Sequence, residues 1–197
     1  PTEALPSPEA RLELYNTARD LFVGAGFEEI GIDHFAKPDD GLAIAHRNGT
    51  MHRNFQGYTE DKSPALIGIG ASSIAKYPQG YAQNEPATSK YQERVRAGEL
   101  PIAKGHVFVG DDLVRGRVIE QLLCDFRADF RAIAGAFGVA PEGVIAMADG
   151  LDEALPGTTT LEDGVLTILD DARPLARIIA RHFDAYEMSA AGHSQAV

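Results

Sequence analysis

Apolar positions at Leu14, Tyr15, Ala18, Leu21, Phe22 and Ala25 recur at helical spacing and predict an opening helix. Ser7-Pro8-Glu9 suits its start: a hydroxyl cap, a proline at the first helical position, then an acid near the positive end. Gly24 and Gly26 end it. Residues 27–35 read as a strand leaving into a loop at Ala36-Lys37-Pro38, and a short helix runs from about Asp39 to Asn48-Gly49. Two further apolar segments, 51–59 and 66–74, follow. This helix–strand–helix–strand–strand order suits the tail of an α/β domain with a largely parallel sheet.

Residues 77–84 have no clear period and read as loop, and 87–98 as a polar connecting helix. From Gly110 the pattern changes to helices with apolar stripes. Asp111 or Asp112 caps one carrying Leu113, Val118, Leu122 and Phe126. Asp129 caps a second with Phe130, Ile133 and Phe137, closed by Gly138. Residues 158–161 and 164–168 flank Glu162-Asp163, with Gly164 placed for a hairpin turn. A last helix opens near Arg173-Pro174 and carries Leu175, Ile178, Ile179 and Phe183; the tail 189–197 reads as frayed. The expected division is therefore α/β over 1–88, a connector over 89–111, and a small, mainly helical, winged-helix-like domain over 112–197.

The chain has 197 residues, 44% hydrophobic and 24% charged, which suits a packed globular protein. No run approaches the ~18 consecutive apolar residues of a membrane span, and no leader pattern opens the chain, so the expectation is a cytoplasmic protein without membrane partners. It opens on Pro1 rather than Met and is read as beginning inside a longer protein. The net charge of −11 argues against nucleic acid as a partner, since phosphate contacts need a basic face. Cys124 is the single cysteine, which excludes an internal disulfide and any all-cysteine metal site built from this chain alone. Its apolar helical setting predicts a buried structural thiol.

Candidate chemistry gathers at four places. Asp33-His34 sits at a strand end, where α/β sites collect, and suits a proton-transfer or metal pair, or simply a capped turn. His46, Arg47, His52 and Arg53 form a basic cluster that suits a carboxylate-rich ligand, or a solvated helix end. In Asn54-Phe55-Gln56-Gly57-Tyr58, Phe55 can lie against a flat or apolar ligand face and Gln56 can hydrogen-bond it, unless Phe55 is core. Gly68-Ile69-Gly70-Ala71-Ser72-Ser73 lacks the third glycine of a dinucleotide loop, and its glycines suggest close approach by a ligand or another backbone.

Taken in order, four blocks resemble one family. Residues 31–40 (GIDHFAKPDD), 52–59 (HRNFQGYT), 68–74 (GIGASSI) and 81–84 (YAQN) look like consecutive blocks of the oxygen-independent coproporphyrinogen III oxidases. Residues 122–127 (LLCDFR) are similar to the C-terminal domain of that family, and the similarity runs from about Leu5 to Phe126, weaker thereafter.

The resemblance implies the C-terminal part of a partial (β/α) radical-SAM barrel followed by a helical domain. It implies an oxidoreductase that converts two propionates of coproporphyrinogen III to vinyl groups, giving protoporphyrinogen IX in heme biosynthesis. It also implies two S-adenosyl-L-methionine molecules and a four-iron four-sulfur cluster, with Phe55, Gln56 and Ile74 around the second S-adenosyl-L-methionine. The family's CxxxCxxC-type cluster motif is absent here, so the missing N-terminal part is the implied partner, and this chain alone carries no catalytic or metal-binding residue. Two other readings compete: a winged-helix regulatory or interaction module, with Arg173 to Arg181 as its clearest recognition segment, and a metal hydrolase using Asp33, His34 and His52.

Overall fold

The computed structural model describes residues 6–186. The tail 189–197 and the start of the family similarity at Leu5 lie outside them. The chain forms two compact units, one made of residues up to Glu60 together with those from Val114 onward, the other of Asp61–Leu113. The expected boundary at 112 lies within two residues of the Leu113–Val114 division, whereas no division falls at 88.

Helix α1, Pro8–Gly24, is capped as the sequence predicts, with Ser7 Oγ accepting from Ala10 N at 3.2 Å. None of its residues is buried. The single strand expected over 27–35 is instead a hairpin of β1, Glu28–Ile30, and β2, His34–Ala36. Gly31 turns it, at φ +57°, a region that glycine enters without steric cost. Helix α2, Gly41–Arg47, is capped by Asp40, and a second hairpin follows, β3 at His52–Asn54 and β4 at Gly57–Thr59. Ile30, Ala36, Ala43, Ala45 and Met51 pack with Cys124 into one small core.

In the Asp61–Leu113 unit, β5 (Ile74–Tyr77), β6 (Gly80–Asn84) and β7 (Ile102–Val107) form an antiparallel sheet in the order β5-β6-β7, with α3, Thr88–Arg96, between β6 and β7. Two expectations are corrected here. Residues 77–84 are not loop: Gly80 lacks the side chain that would strike the His106 carbonyl, so β6 pairs closely with β7. Residues 66–73 are not strand; only Leu66 bridges, to Lys76. Ala75 is the one buried hydrophobic of this unit among the described residues.

The chain returns as α4 (Asp112–Asp125), β8 (Arg127–Asp129), α5 (Phe130–Phe137), α6 (Pro141–Ile145), a 3-10 turn at Ala146–Ala148, α7 (Leu151–Ala154), β9 (Thr159–Glu162), β10 (Val165–Ile168), a 3-10 turn at Asp170–Leu175 and α8 (Ala176–Arg181). Asp129 Oδ1 accepts from Ala132 N at 2.9 Å and Gly138 closes α5 at φ +67°. The β9–β10 hairpin turns at Asp163-Gly164, φ +52° and +79°, the signs of a type I′ turn. Strand β8, lying between two helices in the chain, pairs with β10 in the order β8-β10-β9. Helix, strand, helices and a terminal hairpin in one small sheet give the winged-helix-like order. Its core centres on Phe130, Phe183, Leu122, Leu151, Leu166 and Ile179.

Every strand pairing among the described residues is antiparallel. The parallel sheet expected from element order is absent from them: β1–β2, β3–β4, β5–β6 and β9–β10 are each joined by a short turn, and β6 and β7, although joined through α3, also pair antiparallel.

Candidate functional site

The β3–β4 hairpin carries the most distinctive residues. Asn54 pairs with Gly57, leaving Phe55 and Gln56 as the two turn residues. The Asn54 side chain accepts from Gln56 N at 2.8 Å and fixes the turn. Phe55 is 51% exposed, which removes the core reading of its ring. Gly57, at φ +136°, takes a backbone that side chains rarely adopt.

Behind the tip stands Tyr58. Its hydroxyl accepts from Ile32 N at 2.9 Å and donates to Leu123 O at 2.8 Å, joining the β1–β2 turn to α4. Burial pushes its phenol up from the ordinary value. The His34 ring meets the Tyr58 ring edge-on, centroids 4.9 Å apart. His34 Nδ1 lies 2.7 Å from Asp33 Oδ1, and Arg177 Nη2 donates to Asp33 Oδ2 at 2.7 Å. Asp33 lies in the β1–β2 turn and His34 opens β2, rather than closing a strand as expected, and an α8 arginine that sequence reading did not connect to the pair completes it.

The basic cluster does not assemble as one patch. Arg47 bonds Glu28 and the Pro38 carbonyl. His52 Nδ1 lies 3.3 Å from Glu120, which also accepts from Arg117 at 2.6 Å and from Arg53 N at 3.3 Å. Burial pushes the Glu120 carboxyl up, but Arg117, Arg53 N–H and His52 outweigh it and hold the group below its ordinary value. Arg53 leans over Tyr58, 5.7 Å from the ring centroid, with its Nε buried and without a hydrogen bond. Cys124 is buried, and burial, then Glu120 and Asp125, push its thiol up to about 12. That is an inert thiol, as its helical setting predicts.

Among the described residues no group of three or more His, Cys, Asp or Glu can hold a metal ion. His52 pairs with Glu120, so the metal-hydrolase reading loses a ligand. A cleft of about 370 Å³ is lined by Tyr15, Arg19, Glu29, Phe126 and Arg173 among others. Its polar groups engage one another, with Tyr15 and Arg19 on Glu29 and Arg173 on Asp170.

Ile74 opens β5 in the other compact unit, opposite Gln83. Gly68 does not open space for a ligand: a side chain there would lie 2.9 Å from the Ile74 carbonyl carbon, so its absence admits backbone, whereas one at Gly70 would meet only Ser73 Oγ, at 3.4 Å.

No family model matches the chain. It is 47% identical to the oxygen-independent coproporphyrinogen III oxidase of Cereibacter sphaeroides over 189 residues, 96% of this chain and 42% of that protein. It is 46% identical to the enzyme of the same name from Paracoccus denitrificans over 197 residues, 100% of this chain and 44% of that protein. The solved coproporphyrinogen III oxidase HemN of Escherichia coli, described as a radical SAM enzyme, matches with a TM-score of 0.84 and 32% identity, covering 95% of this chain and 44% of that one. The chain therefore has the fold of part of a radical-SAM enzyme. Within that class it belongs with the oxygen-independent coproporphyrinogen III oxidases, and it spans about two-fifths of the length of the curated relatives it matches.

Proposed function

We propose that the chain is the C-terminal portion of an oxygen-independent coproporphyrinogen III oxidase that works in the cytoplasm. The whole protein would convert two propionates of coproporphyrinogen III to vinyl groups, releasing carbon dioxide and forming protoporphyrinogen IX. The observation that carries this reading is the 46–47% identity running through nearly the entire chain. Residues 1–88 then belong to the barrel, 89–111 to a connector and 112–197 to the domain after it.

The cofactors of that class divide between fit and misfit. A cysteine-held cluster does not fit this chain, whose one cysteine is buried with its thiol pushed up to about 12. It belongs to the part of the protein that precedes these residues. S-adenosyl-L-methionine, two molecules in the whole enzyme, fits better: the exposed Phe55 ring suits an apolar or flat ligand face, and Gln56 beside it supplies an amide. Ile74 would add an apolar contact to the second molecule. When bound and cleaved by one electron from the cluster, this cofactor would supply the radical that removes a hydrogen atom from a propionate; Phe55, Gln56 and Ile74 would each contact the second molecule.

The winged-helix-like order supports a lid or packing role over DNA reading. Arg173 to Arg181, the expected recognition segment, carries three arginines but sits among Asp170, Asp171 and Asp184, and Arg173 and Arg177 are paired with Asp170 and Asp33.

The test uses the whole gene product, reconstituted anaerobically with iron and sulfide. It should convert coproporphyrinogen III with cleavage of S-adenosyl-L-methionine, whereas the 197-residue chain alone should neither hold a stoichiometric cluster nor turn over. Failure of the whole protein to decarboxylate would overturn the proposal. Ile74→Asp in the whole protein sets a charge against the cofactor; at 1.4 kcal/mol per tenfold, a penalty of several kcal/mol lowers turnover by roughly a hundredfold or more. Near-normal turnover would remove Ile74 from the site.

A further inference from the structure

We infer that Asp33, His34 and Arg177 form a carboxylate-binding element beside the Phe55–Gln56 turn, with His34 Nε2 as the atom that meets the ligand. It rests on the proposed function for the identity of that ligand, a propionate-bearing tetrapyrrole.

The geometry fixes His34 on two sides and leaves a third open. An ionised Asp33 only accepts hydrogen bonds, so the 2.7 Å contact requires the proton on Nδ1. Arg177 occupies the other oxygen of Asp33 and prevents the carboxylate from swinging away. The Tyr58 ring, itself held by Ile32 N and Leu123 O, stands edge-on to the imidazole and sets its plane. Nε2 then points toward Gly57, where a side chain would lie 3.4 Å away. Among the described residues Nε2 makes no hydrogen bond. Asp33, His34 and Arg177 are each 43–46% exposed, so a ligand can reach them from solvent.

Charge favours an anion. Arg53 leans over Tyr58, Arg177 pairs with Asp33 and Arg117 with Glu120, so three guanidinium groups stand against the two carboxylates Asp33 and Glu120, in a chain whose net charge is −11. A ligand carboxylate at Nε2 would complete an imidazolium held between two carboxylates, with charge-assisted bonds on both nitrogens. Arg177 spends one of its five donors on Asp33 and keeps others for the same ligand. A purely structural purpose explains less, since ion pairs this exposed contribute little to stability. The carboxylate ligand expected of the sequence cluster His46, Arg47, His52 and Arg53 thus moves to a different set, which Arg53 only flanks, over the Tyr58 ring.

The chain itself is titrated with coproporphyrin III, the stable oxidised tetracarboxylate, and with its tetramethyl ester, following porphyrin fluorescence. The acid should bind saturably, the ester at least tenfold more weakly. His34→Ala should weaken the acid about tenfold and leave the ester unchanged, and Asp33→Asn should weaken the acid several-fold. His182→Gln, whose imidazole bonds the Asp149 carbonyl, should bind as the unaltered chain does. Circular dichroism should show the variants folded. Acid binding unchanged by both His34→Ala and Asp33→Asn, an ester that binds as tightly as the acid, or no saturable binding overturns the element. Turnover by the whole protein is a separate reading: turnover without the acid–ester contrast removes the element and leaves the function, and the contrast without turnover does the reverse.

Discussion

The phenol of Tyr58 fills the space that any side chain at Gly31 would need. The two residues meet where the β1–β2 turn, β4 and α4 converge, and Gly31 also sits at φ +57°. Gly31→Ala combines a left-handed backbone penalty of about 1–2 kcal/mol with overpacking of about 1–3 kcal/mol. Urea denaturation should show a loss of about 2–4 kcal/mol. A loss under half a kcal/mol would mean that Tyr58 moves aside freely.

Tyr58→Phe keeps the ring and removes the hydroxyl that serves Ile32 N and Leu123 O. Leaving these backbone groups without that partner should cost about 2 kcal/mol, read in the same denaturation experiment. The double variant Gly31→Ala, Tyr58→Phe should be clearly non-additive, since the two side chains share one space.

Cys124 should react slowly. With its thiol pushed up to about 12, roughly one part in ten thousand is thiolate at pH 8, against about a quarter for an ordinary thiol. Modification by a disulfide reagent should be about a thousandfold slower in the native chain than in denaturant. Equal rates would show that the Ile30–Cys124 core opens readily.

Acid should weaken the Glu120 network. Glu120 is held below its ordinary 4.5, so its contribution is present above that pH and is lost as pH falls through the lower folded value. Asp125, raised by burial and only partly relieved by His46, works in the opposite direction and is eased by acid. Glu120→Gln should therefore cost about 1–3 kcal/mol at neutral pH and flatten the stability profile below about pH 4.5. An unchanged acid limb would show that Glu120 adds nothing net.

What was legible in the sequence was local. Ser7-Pro8, Asp40, Asp129 and Gly138 mark helix ends because capping is a bond between near neighbours. Gly164 marked a hairpin for the same reason. Strand β7 was not legible, because its residues are exposed on both faces and show no alternation. Nor was the split of 27–35, which depends on Tyr58 taking the space beside Gly31. Asp33 and Arg177 are 144 residues apart, and no periodicity reports a contact at that separation. Phe55 and Gln56 stood out by composition, yet their place at a turn follows from the Asn54–Gly57 pairing rather than from any apolar pattern.

The discontinuous unit has a consequence for synthesis. Ile30, Ala36, Ala43, Ala45 and Met51 find their packing partner Cys124 only after all of Asp61–Leu113 has been made. At ~5–20 residues per second, that interval lasts about 3–10 s. For that time these residues lack the Cys124 helix that packs on them, and nascent chains stalled before residue 114 should be cut by proteases at 28–51 faster than chains that have passed it.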